Sequence, residues 1–401
     1  MNETILILAD DLTGAADTAS RCRAAGLSAT IFLTPPLLSL PAGVVAFTSD
    51  SRHLSPAEAA ERIREVAGPL VEQSALWYKK IDSTLRGNIG SELDALLDLL
   101  DAPAALACPG FPAQGRGLVN GHLVAPGGPP VGVHLPSLLR EQSRHPVLSF
   151  SLEDVRSGDL AERFQRKGTK AQSGVLSQSK GGKGGKERSI FVVDGMTDED
   201  LGLIVDAAEA IPGLLLCGSA GLIGEVAKRQ ANSQDLPGFG RPGRSDGSAL
   251  VVVGSGSSMA HRQIDGLLAA HPDAARVVIE ADNRPSVSST HSLVLIHQPP
   301  PAPGAVLDGP EARRRANLLA DAALAQIGRN QPGQLLLVGG DTAVAVLSRL
   351  GVARLTVLAE LLPGMPLCRA QVNGRELRVV MKPGSFGDEN ALVEALERSI
   401  V

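Results

Sequence analysis

The chain has 401 residues, of which 20% are charged, and its formal net charge is −5. This slightly acidic balance disfavours a protein that holds nucleic acid or an anionic membrane through nonspecific charge. Aromatic residues make up only 2% of the chain, which argues against a surface that stacks single-stranded bases. The length predicts about two or three domains, and the composition is typical of globular proteins with sizeable cores.

The cysteines and the N-terminal residues indicate where the protein is expected to function. The four cysteines lie far apart in sequence and show neither metal-ligand spacing nor a disulfide framework. Acidic residues follow Met1 too early for a signal peptide, and no uncharged apolar run approaches the roughly 20 residues that a membrane span needs. We therefore expect a soluble, reduced, cytoplasmic protein that has no membrane partner.

Short apolar runs alternate with helical patterns along the first half of the chain. Residues 4–9 are apolar without alternation, which is typical of a strand buried on both faces. Further strands are predicted at 28–33, 44–48, 75–78 and 104–107. Strands that alternate with helices predict βαβ units and a mostly parallel sheet flanked by helices.

Polar clusters follow three of these strands. Asp10 and Asp11 follow the first strand, residues 50–52 follow the third, and residues 79–86 follow the fourth. In a parallel sheet the carboxyl ends of the strands lie along one edge, which is where ligands bind. A loop at 109–116 follows the next strand and adds another arginine. An edge with several carboxylates and several cations suits an anionic, hydroxylated small molecule.

The cluster at 79–88 also has a purely structural interpretation. It would be a solvated turn between a strand and a helix, with Asn88 or Ser91 capping the helix. Loops at strand ends often carry function, and charges of both signs beside a buried strand are hard to explain by folding alone. We therefore favour the functional interpretation.

Two segments lack apolar periodicity. Residues 168–189 are rich in Gly, Ser, Lys and Gln, but they lack the spacing of a P-loop and no strand leads directly into them. This composition predicts a flexible, solvated loop. Residues 236–247 are rich in Gly and Pro, which predicts a linker between a first domain, 1–235, and a second domain, 248–401.

The second domain contains three glycine-bearing turns, at 254–258, 339–342 and 382–387. Glycine lets a backbone approach a ligand closely, and the free N–H groups at the start of a helix favour an anion. Several such turns in one domain predict a phosphate site, in which Lys382 would supply positive charge. The structural alternative is that Ser257 and Thr342 only cap helices.

The turn at 254–258 also half-matches a dinucleotide-binding fingerprint. Met259 stands where the fingerprint has its third glycine, although Glu280 falls where an acid would bind the ribose. A nicotinamide-dependent dehydrogenase is therefore an alternative function. This alternative leaves the clusters at 79–86 and 339–342 unexplained.

Together these motifs resemble those of the four-carbon acid sugar kinases. The matching segments follow the family's order over nearly the whole chain and are 9–15, 80–88, 111–116, 254–258, 339–342 and 382–387. The resemblance implies two α/β domains, of which the first binds an acid sugar and the second binds the nucleotide, with the active site in the interdomain cleft. It also implies ATP-dependent phosphorylation of the terminal hydroxyl of D-threonate, D-erythronate or 3-oxo-tetronate.

Charge and resemblance together give the candidate site residues. The expected catalytic carboxylates, which would accept the hydroxyl proton, bind substrate hydroxyls or orient Mg²⁺, are Asp10, Asp11 and Asp82. The candidates for acid-sugar binding are Asp11, Arg52, Lys80, Asp82, Ser83, Thr84, Arg86 and Arg116. The candidates for ATP binding are Ser255, Gly256, Ser257, Gly339, Gly340, Asp341, Thr342, Lys382 and Gly384. The identity of the catalytic base and the metal ligands stay open.

A non-catalytic sensor of sugar acids is a further alternative. It would need the charges of the first domain but not the glycine turns of the second, so those turns argue against it. The expected partners are a small sugar acid and ATP, with a homodimer as a possible assembly and no nucleic acid.

Overall fold

The computed structural model describes residues 4–36, 40–125, 131–175, 188–232, 248–280, 291–300 and 309–400. The chain divides into two compact units. The first unit comprises Met1–Gly14 and Pro35–Leu236, and the second comprises Ala15–Thr34 and Pro237–Val401. The predicted linker at 236–247 and most of the predicted loop at 168–189 lie outside the described residues.

Strands alternate with helices along the first part of the chain. The strands are β1 (Thr4–Ala9), β2 (Ala29–Phe32), β3 (Val44–Thr48), β4 (Ala75–Lys80), β5 (Ala104–Cys108), β6 (Gly117–Val119), β7 (His122–Val124), β8 (Val131–His134), β9 (Val147–Phe150), β10 (Ser189–Val193) and β11 (Leu215–Gly218). The helices are α1 (Leu12–Ala24), α2 (Pro56–Ala67), α3 (Ile89–Leu99), α4 (Leu135–Gln142), α5 (Leu152–Arg156), α6 (Leu160–Val175), α7 (Asp198–Glu209) and α8 (Ala220–Asn232). Short 3₁₀ turns lie at Gly68–Leu70 and Pro112–Gln114.

The same alternation continues in the second part of the chain and ends in a β-hairpin and a helix. The strands are β12 (Ala249–Val253), β13 (Ala275–Val278), β14 (Leu293–His297), β15 (Gln334–Val338), β16 (Arg354–Leu362), β17 (Met365–Val372) and β18 (Arg375–Lys382). The helices are α9 (Ser258–Ala270), α10 (Gly309–Asn330), α11 (Gly340–Arg349) and α12 (Ala391–Ile400).

The first unit is built on a parallel sheet with the strand order β3-β1-β4-β11-β5-β10-β9. Every residue of β3, β5 and β10 is buried, as expected for strands of a parallel sheet that is covered on both faces. The same unit contains a small antiparallel sheet, β6-β7-β8. The sequence did not predict this sheet, because its strands are too short to show a period.

The second unit is built on a mixed sheet. Strands β13, β14, β12, β15 and β18 pair in parallel in that order. Strands β17, β16 and β2 then extend the sheet beyond β18 in antiparallel pairs. The β17–β18 hairpin turns at Asn373 and Gly374, whose φ angles are 50° and 76°. An Asn-Gly pair between two strands predicts such a left-handed turn, because both residues tolerate positive φ.

One early segment of the chain packs with the second unit. Strand β2 pairs with β16, and Arg21 of α1 forms a 3.1 Å ion pair with Glu360. The Arg23 guanidinium also donates to the carbonyl of Leu358 at 3.1 Å. The division drawn from sequence puts these residues with the first domain, whereas their contacts join Ala15–Thr34 to the second unit.

The predicted α/β architecture is confirmed, because each unit rests on a mostly parallel sheet flanked by helices. One boundary differs clearly from the sequence prediction. Helix α6 continues to Val175, so the segment predicted as a loop from residue 168 begins as a helix. Lys, Ala and Gln in this segment are good helix formers, which explains the extension.

Candidate active site

The carboxyl ends of five neighbouring strands of the first unit lie side by side. Ala9 at the end of β1 is level with Thr48 of β3 and Lys80 of β4. Gly218 of β11 is level with Lys80 and with Cys108 of β5. The polar segments that follow these strands therefore share one edge of the sheet, as the sequence predicted. We call this edge, with residues 10–14, 49–54, 80–88 and 109–116, the charged edge.

Arg52 joins the aspartates of the charged edge. Its Nε and Nη2 atoms donate to the two carboxylate oxygens of Asp10 at 2.7 and 2.8 Å. Its Nη1 atom donates to Asp11 at 2.7 Å, and Nη2 lies 3.7 Å from the carboxylate of Asp82. Paired, charge-assisted hydrogen bonds of this kind are among the strongest in proteins. One guanidinium thus gathers carboxylates that follow two different strands.

Asp10 is held as an anion. The residue is buried, and burial alone would raise the pKa of its carboxyl. The charge and hydrogen bonds of Arg52, with smaller contributions from Lys79 and Lys80, outweigh burial and lower the pKa of Asp10 below its ordinary value. Asp10 therefore carries a negative charge at neutral pH.

Asp11 has a structural task in addition to its contact with Arg52. It directly precedes α1, and its carboxylate accepts hydrogen bonds from the backbone N–H of Gly14 at 2.7 Å and from the hydroxyl of Thr13 at 2.6 Å. This is the geometry of a helix N-cap. The carboxylate also suits the positive end of the helix dipole.

Asp82 shapes the turn that follows β4. It accepts hydrogen bonds from the backbone N–H groups of Thr84 and Arg86, from the Thr84 hydroxyl, and from Arg86 Nε and Nη2, both at 2.8 Å. Leu85, inside this turn, has a φ of 64°, which a side-chain-bearing residue adopts only when its surroundings hold it. Burial works to raise the pKa of Asp82, but Arg86 and Arg52 lower it far below its ordinary value.

Two further candidates for acid-sugar binding meet across the charged edge. Arg116, which follows β5, donates from Nη1 to the hydroxyl of Ser83 at 2.6 Å. Ser83 itself is buried in the turn after β4. The structure therefore brings together all eight residues that the sequence nominated for acid-sugar binding.

The two consecutive lysines of β4 have different surroundings. Lys79 is fully buried and forms a 2.7 Å ion pair with Glu92 of α3. Lys80 points to the opposite face of the strand, is 3% exposed, and donates to the carbonyl of Ile81 at 2.7 Å. It forms no ion pair with any residue that the structure describes. Lys80 is therefore buried without an ion pair of its own, although its charge is near enough to contribute to the low pKa of Asp10.

The three glycine turns of the second unit also come together. Val253, Val338 and Lys382 are level with one another at the carboxyl ends of β12, β15 and β18. The N–H of Gly254 donates to the carbonyl of Val338 at 3.0 Å, and the N–H of Gly339 donates to the carbonyl of Lys382 at 3.0 Å. We call the region formed by residues 254–258, 339–342 and 382–387 the glycine edge.

Side chains would not fit at three positions of the glycine edge. A β-carbon on Gly254 would collide with the hydroxyl oxygen of Thr342, and one on Gly384 would collide with the hydroxyl oxygen of Ser255. Gly339 has a φ of 106°, which only glycine adopts readily. Glycine is therefore required at these positions, because neighbouring side chains or the backbone conformation leave no place for a β-carbon.

The two residues that were considered as simple helix caps differ. The hydroxyl of Ser257 does cap α9, because it accepts from the N–H of Ala260 at 3.2 Å, and it also donates to the carbonyl of Gly384 at 3.0 Å. Thr342 is not a cap, since Gly339 is the N-cap of α11 and makes no side-chain hydrogen bond. The first N–H groups of α11 therefore lack a side-chain cap, as an anion site requires.

Lys382 is the cation of the glycine edge. It is 0% exposed, and its ammonium donates to the carbonyls of Pro383 and Gly384 at 2.9 and 3.3 Å. It forms no ion pair within the described part of the chain. Burial lowers the pKa of Lys382 to about 7, so its charge is easily lost in the absence of an anion.

Comparison with known proteins identifies the family. A model described as a sugar-binding N-terminal domain matches residues 5–226, and one described as a nucleotide-binding C-terminal domain matches residues 250–392. A D-threonate kinase from Cupriavidus necator is 31% identical over 97% of this chain and 96% of its own length. The chain belongs to the four-carbon acid sugar kinase family.

Other relatives of this sugar-acid kinase also align over nearly the full length. A D-erythronate kinase from Heliobacterium modesticaldum is 28% identical over 96% of this chain and 95% of its own. A 3-oxo-tetronate kinase from Pseudomonas fluorescens is 26% identical over 97% of this chain and 95% of its own. A solved Haemophilus influenzae structure shares the fold, with a TM-score of 0.67 and 23% identity over 98% of this chain and 99% of its own. The names of these relatives do not favour the alternative that the protein is a nicotinamide-dependent dehydrogenase.

The described residues contain no helix that is long and apolar enough to cross a membrane. Within the same residues, no three or more His, Cys, Asp or Glu side chains come close enough to hold a metal ion.

The sequence analysis missed the buried residues that support the charged edge. Glu92 binds Lys79 and also accepts a hydrogen bond from Ser51 at 2.5 Å. The available signal was an acid on the otherwise apolar face of α3, four residues after Asn88. Such a residue is almost always paired, but the sequence did not reveal its partners.

We predict that Lys382→Met stabilises the ligand-free kinase most strongly at low pH. Lys382 titrates near pH 7 in the folded state and at its ordinary value of 10.5 when unfolded, so the unfolded state binds more protons between these values. The cost of burying this lysine is therefore complete below about pH 7 and disappears as the pH approaches 10.5. Thermal unfolding of variant and wild type should differ by several degrees near about pH 6 and much less near about pH 9.5.

The exposed Lys228 offers a matched control. Lys228→Met should change the unfolding temperature little, and by the same amount at every pH. If the difference between Lys382→Met and wild type were also independent of pH, Lys382 would not be the buried, easily neutralised group described above.

Proposed function

We propose that this kinase transfers the terminal phosphate of ATP to the terminal hydroxyl of a four-carbon sugar acid, namely threonate, erythronate or 3-oxo-tetronate. The main support is the buried ammonium of Lys80, which lies at the charged edge without an ion-pair partner among the described residues. Burying a charge is costly unless an opposite charge accompanies it. The carboxylate of a sugar acid is a suitable partner for this ammonium.

Lys80 would bind the carboxylate of the acid in preference to the arginines. Arg52 already donates to Asp10 and Asp11, and Arg86 donates twice to Asp82. We therefore assign both arginines to holding these aspartates in place. The remaining candidates would bind the hydroxyl groups of the acid, and they are Ser83, Thr84 and Arg116.

Asp10 is the best candidate for the residue that accepts the hydroxyl proton. One oxygen of Asp82 already accepts four hydrogen bonds, and Asp11 is occupied by α1 and Arg52. Among the described residues, Asp10 accepts two side-chain bonds, both from Arg52, which leaves room for a substrate hydroxyl. The low pKa of Asp10 makes it a weak base, but the loose transition state of phosphoryl transfer requires mainly alignment of the attacking hydroxyl.

The glycine edge would hold the triphosphate of ATP. The backbone N–H groups of 255, 256 and 340–342 would bind phosphate oxygens. The ammonium of Lys382, directly beneath the turns, would neutralise part of their charge. The phosphorus and the acid's hydroxyl must meet in line for transfer.

Mg²⁺ is expected with ATP, and it would neutralise charge on the phosphates. The glycine edge fits this ion, because Mg²⁺ in such sites is usually held by one or two carboxylates together with the phosphates themselves. Asp341 is exposed beside the first N–H groups of α11, and we propose it as the carboxylate, with the neighbouring Thr342 hydroxyl as a further oxygen.

We also propose that the enzyme works in the cytoplasm, where ATP is available. All four cysteines are free and buried, as a reducing compartment would permit. A homodimer stays a prediction from the sequence.

The proposed reaction can be tested with purified protein and a panel of ligands. With ATP and Mg²⁺, we expect ADP formation to depend on D-threonate, D-erythronate or 3-oxo-tetronate, measured by a coupled assay. ATP with Mg²⁺ and the active acid should each raise the unfolding temperature, because both bind the folded protein. Stabilisation by NAD but not by ATP would support a dehydrogenase, and stabilisation by the acid alone would support a sensor.

Lys80→Met tests the proposed carboxylate contact. We expect kcat/KM for the preferred acid to fall about 10- to 100-fold, mainly through KM, because a charge-assisted hydrogen bond is lost. The matched control is the four-carbon polyol that lacks the carboxylate, for which the variant and the wild type should be about equal. An equal loss with acid and polyol would show that Lys80 does not recognise the carboxylate.

Asp10→Asn tests the proposed base. We expect kcat to fall about 100-fold or more, while KM for both substrates changes only a few-fold. Asp11→Asn is the comparison variant, since asparagine also caps helices well and the fork of Arg52 on Asp10 stays, so kcat should fall less than in Asp10→Asn. If Asp10→Asn kept its turnover and Asp11→Asn lost it, the assignment would be wrong.

A further inference from the structure

The loop that carries Arg52 turns through the left-handed region of the backbone. Asp50, two residues before Arg52, has a φ of 50°, a conformation that Asp adopts more readily than most residues with a side chain. No helix or strand includes residues 49–54, so contacts with neighbouring elements hold them in place. The place of the Arg52 guanidinium therefore depends on what holds residues 49–54.

Helix α3 holds this loop from two positions. The side-chain amide of Asn88, at the N-cap of the helix, donates to the carbonyl of Leu54 at 2.9 Å and to that of Ser51 at 3.3 Å. Glu92 accepts from the hydroxyl of Ser51 at 2.5 Å. Residues four apart lie on the same side of a helix, so Asn88 and Glu92 both contact the loop at residues 49–54.

The contact between Glu92 and Ser51 is deeply buried. Glu92 is 1% exposed and Ser51 is 0% exposed. The second oxygen of Glu92 lies 2.7 Å from the ammonium of Lys79, which is also fully buried. Hydrogen bonds among fully satisfied buried groups are strong and directional, so this arrangement fixes Ser51 rigidly.

Ser51 in turn is tied to the strand end that carries Asp10. Its backbone N–H donates to the carbonyl of Asp10 at 3.1 Å. Its hydroxyl lies 2.7 Å from that of Ser49, which donates to the carbonyl of Ala9 at 3.0 Å. A continuous set of contacts thus runs from α3 through Ser51 to the backbone of Ala9 and Asp10. Asp10 is the residue that we propose as the base.

We propose that Asn88 and Glu92 are positioning residues that act through Ser51 to set the place of Arg52 and, through it, the orientation of the Asp10 carboxylate. In the described part of the chain, neither side chain forms a hydrogen bond or ion pair with Arg52 or with the three aspartates. The expected effect of these residues on the reaction rate rests on the proposed function. Their expected effect on the position of Arg52 does not depend on that function.

The variants for the test are Ser51→Ala and Asn88→Ala. Glu92→Gln is avoided, because it would leave Lys79 buried without a counter-charge and such changes often prevent folding. Ser55→Ala is the matched control. It removes a hydroxyl from the residue that follows the loop, one that caps α2 and donates to Glu58.

The first measurement is kinetic. Ser51→Ala and Asn88→Ala should each lower kcat/KM for the acid about 10- to 100-fold, because small displacements at a reacting centre are costly, while KM for ATP stays within about twofold. In an Arg52→Lys background, the positive charge remains but the paired hydrogen bonds of the guanidinium are lost. In that background Ser51→Ala should lower kcat/KM less than about twofold. Equal losses in both backgrounds would mean that Ser51 does not act through Arg52.

The second measurement follows Arg52 directly and needs no substrate. In arginine-labelled protein, the Nε–H signal of Arg52, assigned by its loss in Arg52→Lys, should exchange slowly with water because it is donated to Asp10. Ser51→Ala and Asn88→Ala should speed this exchange at least about 10-fold, while Ser55→Ala should not. Unchanged exchange in both variants would overturn the inference. If the wild type phosphorylated no acid, the proposed function would fail, but the exchange rates would still decide this inference.

Discussion

The charged edge of the first unit depends on one buried interaction, the fork of Arg52 on Asp10 and Asp11. A guanidinium or a carboxylate alone would be costly to bury, and breaking such a pair leaves an uncompensated charge. Because Asp10 follows β1 directly and Arg52 lies just beyond the end of β3, their pairing also fixes two strand ends relative to each other. Asp11 extends the same interaction to the first turn of α1.

Under the proposed function, the two edges would bind anions by different physical means. The charged edge would use side-chain charges, whereas the glycine edge would use backbone N–H groups at the start of a helix. Each edge nevertheless contains one buried lysine at the end of a strand, Lys80 of β4 and Lys382 of β18. In the described part of the chain, both ammonium groups donate to main-chain carbonyls and neither forms an ion pair. In the proposed reaction, Lys80 would pair with a carboxylate and Lys382 with phosphates.

Much of this arrangement follows from the sequence. Apolar runs without alternation predicted the parallel strands, and residues placed after those strands had to meet at one edge. The opposite surroundings of Lys79 and Lys80 also follow from the two-residue period of a strand. The role of Asp11 as a helix cap could have been read from its position directly before an apolar helical run.

Other features depend on contacts between distant residues, which local patterns do not encode. The packing of Ala15–Thr34 with the second unit rests on pairs such as Arg21 and Glu360. The partners of Glu92 lie 13 and 41 residues away in sequence, so a buried acid could be noticed but not explained. The division of tasks among the three aspartates likewise required the count of hydrogen bonds that each one accepts.

The most direct test of this account is a crystal structure of the kinase with a four-carbon sugar acid and a non-hydrolysable ATP analogue. The account predicts the acid's carboxylate at about 2.7–3.0 Å from the ammonium of Lys80, with its terminal hydroxyl facing Asp10 and the fork of Arg52 intact. The triphosphate should lie against the backbone N–H groups of the glycine edge. An acid carboxylate bound away from Lys80, or an Arg52 that leaves Asp10 to bind the substrate, would contradict it.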